Sequence, residues 1–124
     1  MRVLRLPIKG EWLDIIDAGI KKDEYREIKE HYMPRFFENR PNIALRDLFE
    51  SDLQETTDIQ AFVEYWGCTI REYDAVELIA GYSRTSRRSL YEWEGLSVGL
   101  GNREWGAPAG KNVFRVHLGK RIEE

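Results

Sequence analysis

Gly19-Ile20-Lys21-Lys22-Asp23-Glu24-Tyr25-Arg26 is the segment from which the rest of the chain is best read. The glycine stands where a helix would end in a left-handed turn. A lysine follows just past that end. Side chains alternate along a strand, so Glu24 and Arg26 share one face and Tyr25 and Glu27 the other. The expected strand covers Lys22–Ile28. A lysine, a glutamate and an arginine then converge on one corner of the molecule. A surface salt bridge from Glu24 to Arg26 or Lys21 is the plainer reading of the same residues, and it would be worth little in stability.

The sequence before this corner is patterned. Trp12, Ile15, Ile16 and Gly19 fall at i, i+3, i+4 and i+7, which predicts a short amphipathic helix over Glu11–Ala18. Upstream, Leu4, Leu6 and Ile8 alternate with Arg5 and Pro7, the period of a half-buried strand over Arg2–Ile8. Pro7 has no N–H for a ladder, so this strand belongs at an edge, or the proline at its end. Residues 30–38 predict a helical turn around Met33, Phe36 and Phe37, with Pro34 in its first turn.

Beyond the Arg40-Pro41-Asn42 loop, Ile59, Phe62, Val63 and Trp66 repeat at helical spacing. Thr57 or Asp58 serves as the N-cap and Gly67 as the stop. Residues 44–73 read as a helical insertion or side layer, within an insertion spanning about 40–73. Three strand-like runs follow, Ala75–Tyr82, Ser89–Val98 and Asn112–Leu118. In the last, Phe114, Val116 and Leu118 face one way and Val113, Arg115 and His117 the other. Between the last two runs lie Gly99-Leu100-Gly101-Asn102 and Trp105-Gly106-Ala107-Pro108. The pattern predicts an α+β fold: a small, mostly antiparallel barrel or sheet with flanking helices.

With 124 residues, 42% of them hydrophobic and 12% aromatic, the chain suits one globular domain over 1–124 rather than a disordered segment. The lone Cys68 excludes an intrachain disulfide framework and a multi-cysteine zinc site. His31 and His117 are far apart, and nothing advertises convergent ligands, so neither metal nor cofactor is expected. No phosphate-binding P-loop, dinucleotide fingerprint or Ser-His-Asp arrangement is present. Apolar runs fall far short of the ~20 residues that span a bilayer, so no membrane partner is expected. Met1–Pro7 carries charge within its apolar stretch and lacks a small-residue cleavage site, so it is not read as a signal peptide, and a cytoplasmic setting is the expectation.

The net charge of −3 is unevenly spread. Residues 41–80 hold two basic and nine acidic side chains, whereas 81–124 hold eight basic and five acidic. Such a balance argues against strong non-specific nucleic-acid binding but leaves room for a local basic patch.

Gly19, Lys21, Glu24 and Arg26 match the pattern G-x-K-x-x-E-x-R, and the preceding residues read LRLPIKGEWLDIIDAG. With Gly81-Tyr82-Ser83, the Gly-rich loop, Trp105-Gly106-Ala107 and the closing Phe114–Gly119 strand, this resembles the ASCH domain family of the PUA-like superfamily, in a branch found in phages and prophages. The resemblance covers about 1–36 and 75–119 and leaves the acidic 40–73 segment unexplained. It implies a small PUA-like β-barrel with a cleft lined by the motif, and binding of RNA or modified nucleosides. Some members are assigned enzymatic activity, as an amidohydrolase on acetylated cytidine or as a ribonuclease. The amidohydrolase branch carries a threonine where Glu24 stands, and a carboxylate cannot replace a hydroxyl nucleophile without changing the mechanism.

The chemistry of the residues suits a nucleotide. Lys21 offers a compact charge for a phosphate or base carbonyl, and Arg26 a planar fork for a phosphate or base edge. Glu24 can accept from an exocyclic amine. Tyr82, Ser83, Arg84, Arg87 and Arg88, with Thr85 and Ser86, form a second candidate element: arginines and hydroxyls for phosphates, and a ring to stack a base. The first functional reading is therefore an RNA- or nucleotide-binding module. The second is an enzyme on nucleosides or RNA with Lys21 and Glu24 as an acid–base pair. The third is a protein-interaction adaptor acting through the acidic 41–80 segment.

Overall fold

The computed structural model describes residues 1–123. The fold is α+β, with a five-stranded mixed sheet and several helices. In chain order the elements are β1 (Val3–Pro7), α1 (Gly10–Asp17), β2 (Asp23–Glu27), α2 (Met33–Phe36), β3 (Phe37–Glu38), α3 (Arg46–Gln54), α4 (Ile59–Trp66), β4 (Thr69–Ile70), β5 (Ala75–Ala80), β6 (Arg87–Leu100) and β7 (Asn112–Arg121). Short 3₁₀ turns occupy Ile43–Leu45 and Arg103–Trp105. The large sheet runs β1-β5-β6-β7-β2, and β3 pairs with β4 in a separate two-stranded sheet.

The expectation of a mostly antiparallel arrangement needs one correction. β1 lies parallel to β5, in register from Val3 opposite Ala75 to Pro7 opposite Ile79, while β5 and β6 are antiparallel. Alternation in sequence reports which face a residue takes and carries no information on strand direction. The parallel pair is possible because a long connection separates its strands. Pro7 sits on an edge strand, at its last residue.

The chain divides into two compact units. Among the described residues, the first comprises 1–24, 72–95 and 116–123; the second comprises Tyr25–Arg71 and Leu96–Arg115. In the first, Leu4, Leu6, Leu13, Ile16, Ala75, Val76, Leu78 and Val116 are buried. Leu4, Leu6, Val76 and Leu78 share one face of β1 and β5, Leu13 and Ile16 form the inner stripe of α1, and Val116 comes from β7. Burial of α1 centres on Leu13 and Ile16, with Trp12 and Ile15 half-buried, so the stripe is turned by one residue from the spacing in the sequence.

The second unit is built on aromatic rings. Phe36 packs on Phe114 with centroids 4.7 Å apart, Phe37 meets Phe49 edge-on at 5.5 Å, and Phe49 meets Phe62 at 4.9 Å. Such tilted and edge-on pairs are the favoured geometry for ring quadrupoles. Pro34 lies in the first turn of α2, and Asp58 caps α4 by accepting from the Ala61 N–H. Gly67 closes α4 in the left-handed conformation. Among the described residues, no helix is long and apolar enough to cross a membrane.

Candidate functional site

Gly19 positions the motif. Helix α1 ends at Asp17, and Gly19 adopts φ +77°. Its N–H donates to the Ile16 carbonyl at 2.9 Å, and the Ile20 N–H donates to the Ile15 carbonyl at 3.0 Å. This is a Schellman closure, which turns the chain sharply from helix into β2. Lys21 adds a further bond to the Ile15 carbonyl at 3.1 Å, so its backbone is pinned to the helix it has just left.

That turn brings Lys21 and Glu24 together. The Lys21 ammonium donates to Glu24 Oε1 at 2.9 Å, and it lies 5.0 Å from the centroid of the Trp12 ring. Both side chains are sealed from solvent, at 2% and 3% exposure. The pair is therefore a buried, charge-assisted contact with a cation–π flank. Arg26, in the second unit, is half-buried and donates to its neighbour's carbonyl, Tyr25 O, at 2.9 Å, with its guanidinium carbon 5.9 Å from the Tyr32 ring.

Beside the α1 end, the first unit contains an open hollow of about 430 Å³. Gly19, Lys21 and Lys22 from the motif line it, together with Tyr91 of β6 and Lys120 and Arg121 of β7. Ile16 and Leu118 supply apolar surface, and Asp17 and Glu94 supply carboxylates. Glu24 is not on this lining. Lys22, Lys120 and Arg121 are exposed.

Asp17 organises the wall. Its Oδ1 accepts from the Tyr91 hydroxyl at 2.5 Å and faces Arg121 Nη1 at 3.7 Å. Its Oδ2 accepts from Ser89 Oγ at 3.0 Å and from Arg87 Nη1 at 3.4 Å. One carboxylate thus ties α1 to β6 and β7. Burial, and after it the hydrogen bond and negative charge of Asp17, pushes the Tyr91 phenol above its ordinary value.

The arginine-and-hydroxyl element separates into two parts. Tyr82, Ser83 and Arg84 are exposed, Tyr82 at 95%. The hydroxyls bond one another, Ser83 to Thr85 at 3.1 Å and Ser83 to Ser86 at 3.3 Å. Arg87 and Arg88 open β6 and are held by carboxylates: Arg87 Nη2 on Asp14 at 2.7 Å, Arg88 Nη1 on Glu77 at 3.2 Å.

Several residues were silent in the sequence. Asp17 and Tyr91 lie 74 positions apart, and no local pattern connects them. Asp23 and His117 meet at 2.7 Å, an acid–imidazole contact between two strands that the sequence shows only as isolated residues. A Cβ on Gly101 would come within 2.5 Å of the Ala107 Cβ and 3.1 Å of the Tyr25 ring, so the glycine admits a close crossing of chain and side chain. Cys68 is buried, and burial pushes its thiol up. Among the described residues no group of three His, Cys, Asp or Glu side chains is placed to hold a metal ion. No family model, curated protein or solved structure matches the chain.

Proposed function

We propose that the chain is an RNA- or nucleotide-binding module of the ASCH, PUA-like type, with its ligand in the hollow beside the end of α1. The observation that carries this reading is the composition of that hollow: exposed Lys22, Lys120 and Arg121 outnumber the carboxylates Asp17 and Glu94 on a lining that also includes Ile16 and Leu118. Cations at a rim and apolar surface within are what a phosphate and a base require of one site. A volume of about 430 Å³ lies within the ordinary range for small-ligand sites. Lys22 and Lys120 are compact, mobile charges suited to phosphate, and the Asp17-bound Tyr91 hydroxyl fixes the wall behind them. In this reading the buried Lys21–Glu24 pair shapes the corner, and its neighbours on the lining meet the ligand. Tyr82 offers a ring on which a base of a longer strand can stack.

The test is a titration at low salt of labelled single-stranded RNAs, followed by fluorescence anisotropy, and of nucleoside monophosphates, modified ones included, by calorimetry. Lys22→Ala/Lys120→Ala is expected to weaken binding at least ~10-fold with an unchanged melting temperature, because both side chains are exposed. Absence of binding by every RNA and nucleotide tried removes the proposal.

A further inference from the structure

The second unit carries a feature that nucleotide binding leaves unused. Helices α3 and α4 bury Phe49, Leu53, Phe62 and Val63, and on the outside they display Leu48 at 60% and Tyr65 at 80% exposure. Between these two lies an open groove of about 420 Å³, lined by Leu48, Ser51, Asp52, Glu55, Tyr65 and Trp66. Trp66 is held rigidly there. Its Nε1–H donates to Asp52 Oδ2 at 2.8 Å, and its ring meets Phe49 at 5.3 Å and Tyr65 at 5.7 Å, edge-on in both cases. Scattered exposed apolar side chains need no explanation, but here a tyrosine and a tryptophan, the residue types that anchor protein interfaces, line one groove with an exposed leucine beside them.

The charge around the groove selects the occupant. From Arg46 to Trp66 the chain has six carboxylates and one guanidinium. RNA is repelled by such a field. A second copy docking the same face would bring two acidic rims together across a two-fold axis. A cationic partner gains from it in both rate and register. We infer that this groove binds a basic, amphipathic peptide segment of another protein, with an apolar side chain seated between Leu48 and Tyr65 and flanking lysines or arginines facing Glu55 and its acidic neighbours. This is the helix-in-groove mode of recognition, with the anchors on a strip of the partner and specificity supplied by the rim.

The experiment uses the full chain and a labelled synthetic amphipathic helix with leucines along one face and lysines along the other. Anisotropy is expected to report micromolar binding. Leu48→Ser/Tyr65→Ser is expected to weaken it at least ~10-fold, and Glu55→Lys severalfold, with the far-ultraviolet dichroism of both variants unchanged. The same peptide with glutamates in place of lysines is expected not to bind. The inference is overturned by any of four results: no binding of the basic peptide, affinity indifferent to the double variant, oligolysine binding as tightly as the amphipathic peptide, or a self-associated chain that the double variant turns monomeric. Nucleotide affinity, measured in parallel, is expected to be unaffected by these variants, so failure here and failure of the nucleotide reading are separately visible.

Discussion

Lys21 and Glu24 hold two opposite charges 2.9 Å apart, with both side chains almost wholly buried. Desolvation of both ions opposes the attraction between them, so the pair adds little net stability while making each member costly to remove. Glu24→Gln is expected to destabilise the fold by about 3–5 kcal/mol, because the carboxylate that the ammonium bonds is lost. Lys21→Met/Glu24→Leu is expected to restore most of that, since apolar residues of similar volume replace a buried pair at little cost. Urea denaturation of the three proteins measures both effects. A double variant no more stable than the single one would mean that the charges themselves organise the corner.

Tyr91 is a second residue whose surroundings make a measurable demand. Its hydroxyl donates to the Asp17 carboxylate at 2.5 Å, so Tyr91→Phe is expected to cost about 1.5–3 kcal/mol near neutral pH, the range for hydrogen bonds to charged groups. The folded-state pKa is raised, above the ~10 of a free tyrosine. Below about pH 10 the phenol is protonated in both states, and its contribution is fully present. Above that the unfolded chain releases the proton first, and stability falls as pH rises toward the folded pKa. The gap between wild type and Tyr91→Phe is therefore expected to be constant below pH 10 and to narrow above it. Chemical denaturation at a series of alkaline pH values tests this, and a gap that widens would contradict it.

Single elements show how much of the molecule is legible from its residues. The end of α1 is fully written in Gly19, whose φ of +77° an L-residue adopts only with strain. Gly19→Ala is expected to destabilise by about 1 kcal/mol, read as a shift in urea midpoint with an unchanged slope. Asp58 and Gly67 likewise mark both ends of α4, because caps satisfy backbone groups with local side chains and local geometry. β1 is legible because its alternation extends through Leu4, Arg5, Leu6 and Pro7. β3 and β4 are not, since two residues each are too few to show a period. β6 reaches from Arg87 to Leu100, beyond the Ser89–Val98 run, because pairing partners extend a strand past its apolar residues. Trp93 is half-buried, with its ring 5.2 Å from Tyr73 and its Nε1 donating to Glu72. The motif announced the corner at Gly19–Arg26, but not that Lys21 and Glu24 would face inward. Facing is decided by what packs over the strand, here Trp12 over the ammonium, and that neighbour is set by tertiary structure. The Asp17 hub was hidden for the same reason.

At the scale of the whole molecule the charge distribution governs how strongly any polyanion is held. The chain carries −3 overall, and the cations on the hollow are few. Each phosphate contact to a single strand contributes about −0.7 to the slope of log K against log salt. Two or three such contacts predict a slope of roughly −1.4 to −2 for single-stranded RNA. Duplex DNA should bind far more weakly. A titration series between low and physiological salt checks this, and a much steeper slope would mean that a wider basic surface takes part.

The parallel pairing of β1 with β5 sets an order of events during synthesis. Val3 pairs with Ala75, so the opening strand leaves the ribosome long before its partner exists. At ~5–20 residues per second, translating the ~70 residues between them takes roughly 4–15 s. Through that interval Leu4 and Leu6 have no β5 to lie against, and a nascent extended segment with apolar side chains is open to mispairing. Arg5 and Pro7, interleaved with those leucines, are the residue types that discourage association along a strand edge. The N-terminal alternation thus protects the unfinished polypeptide before it serves the finished sheet.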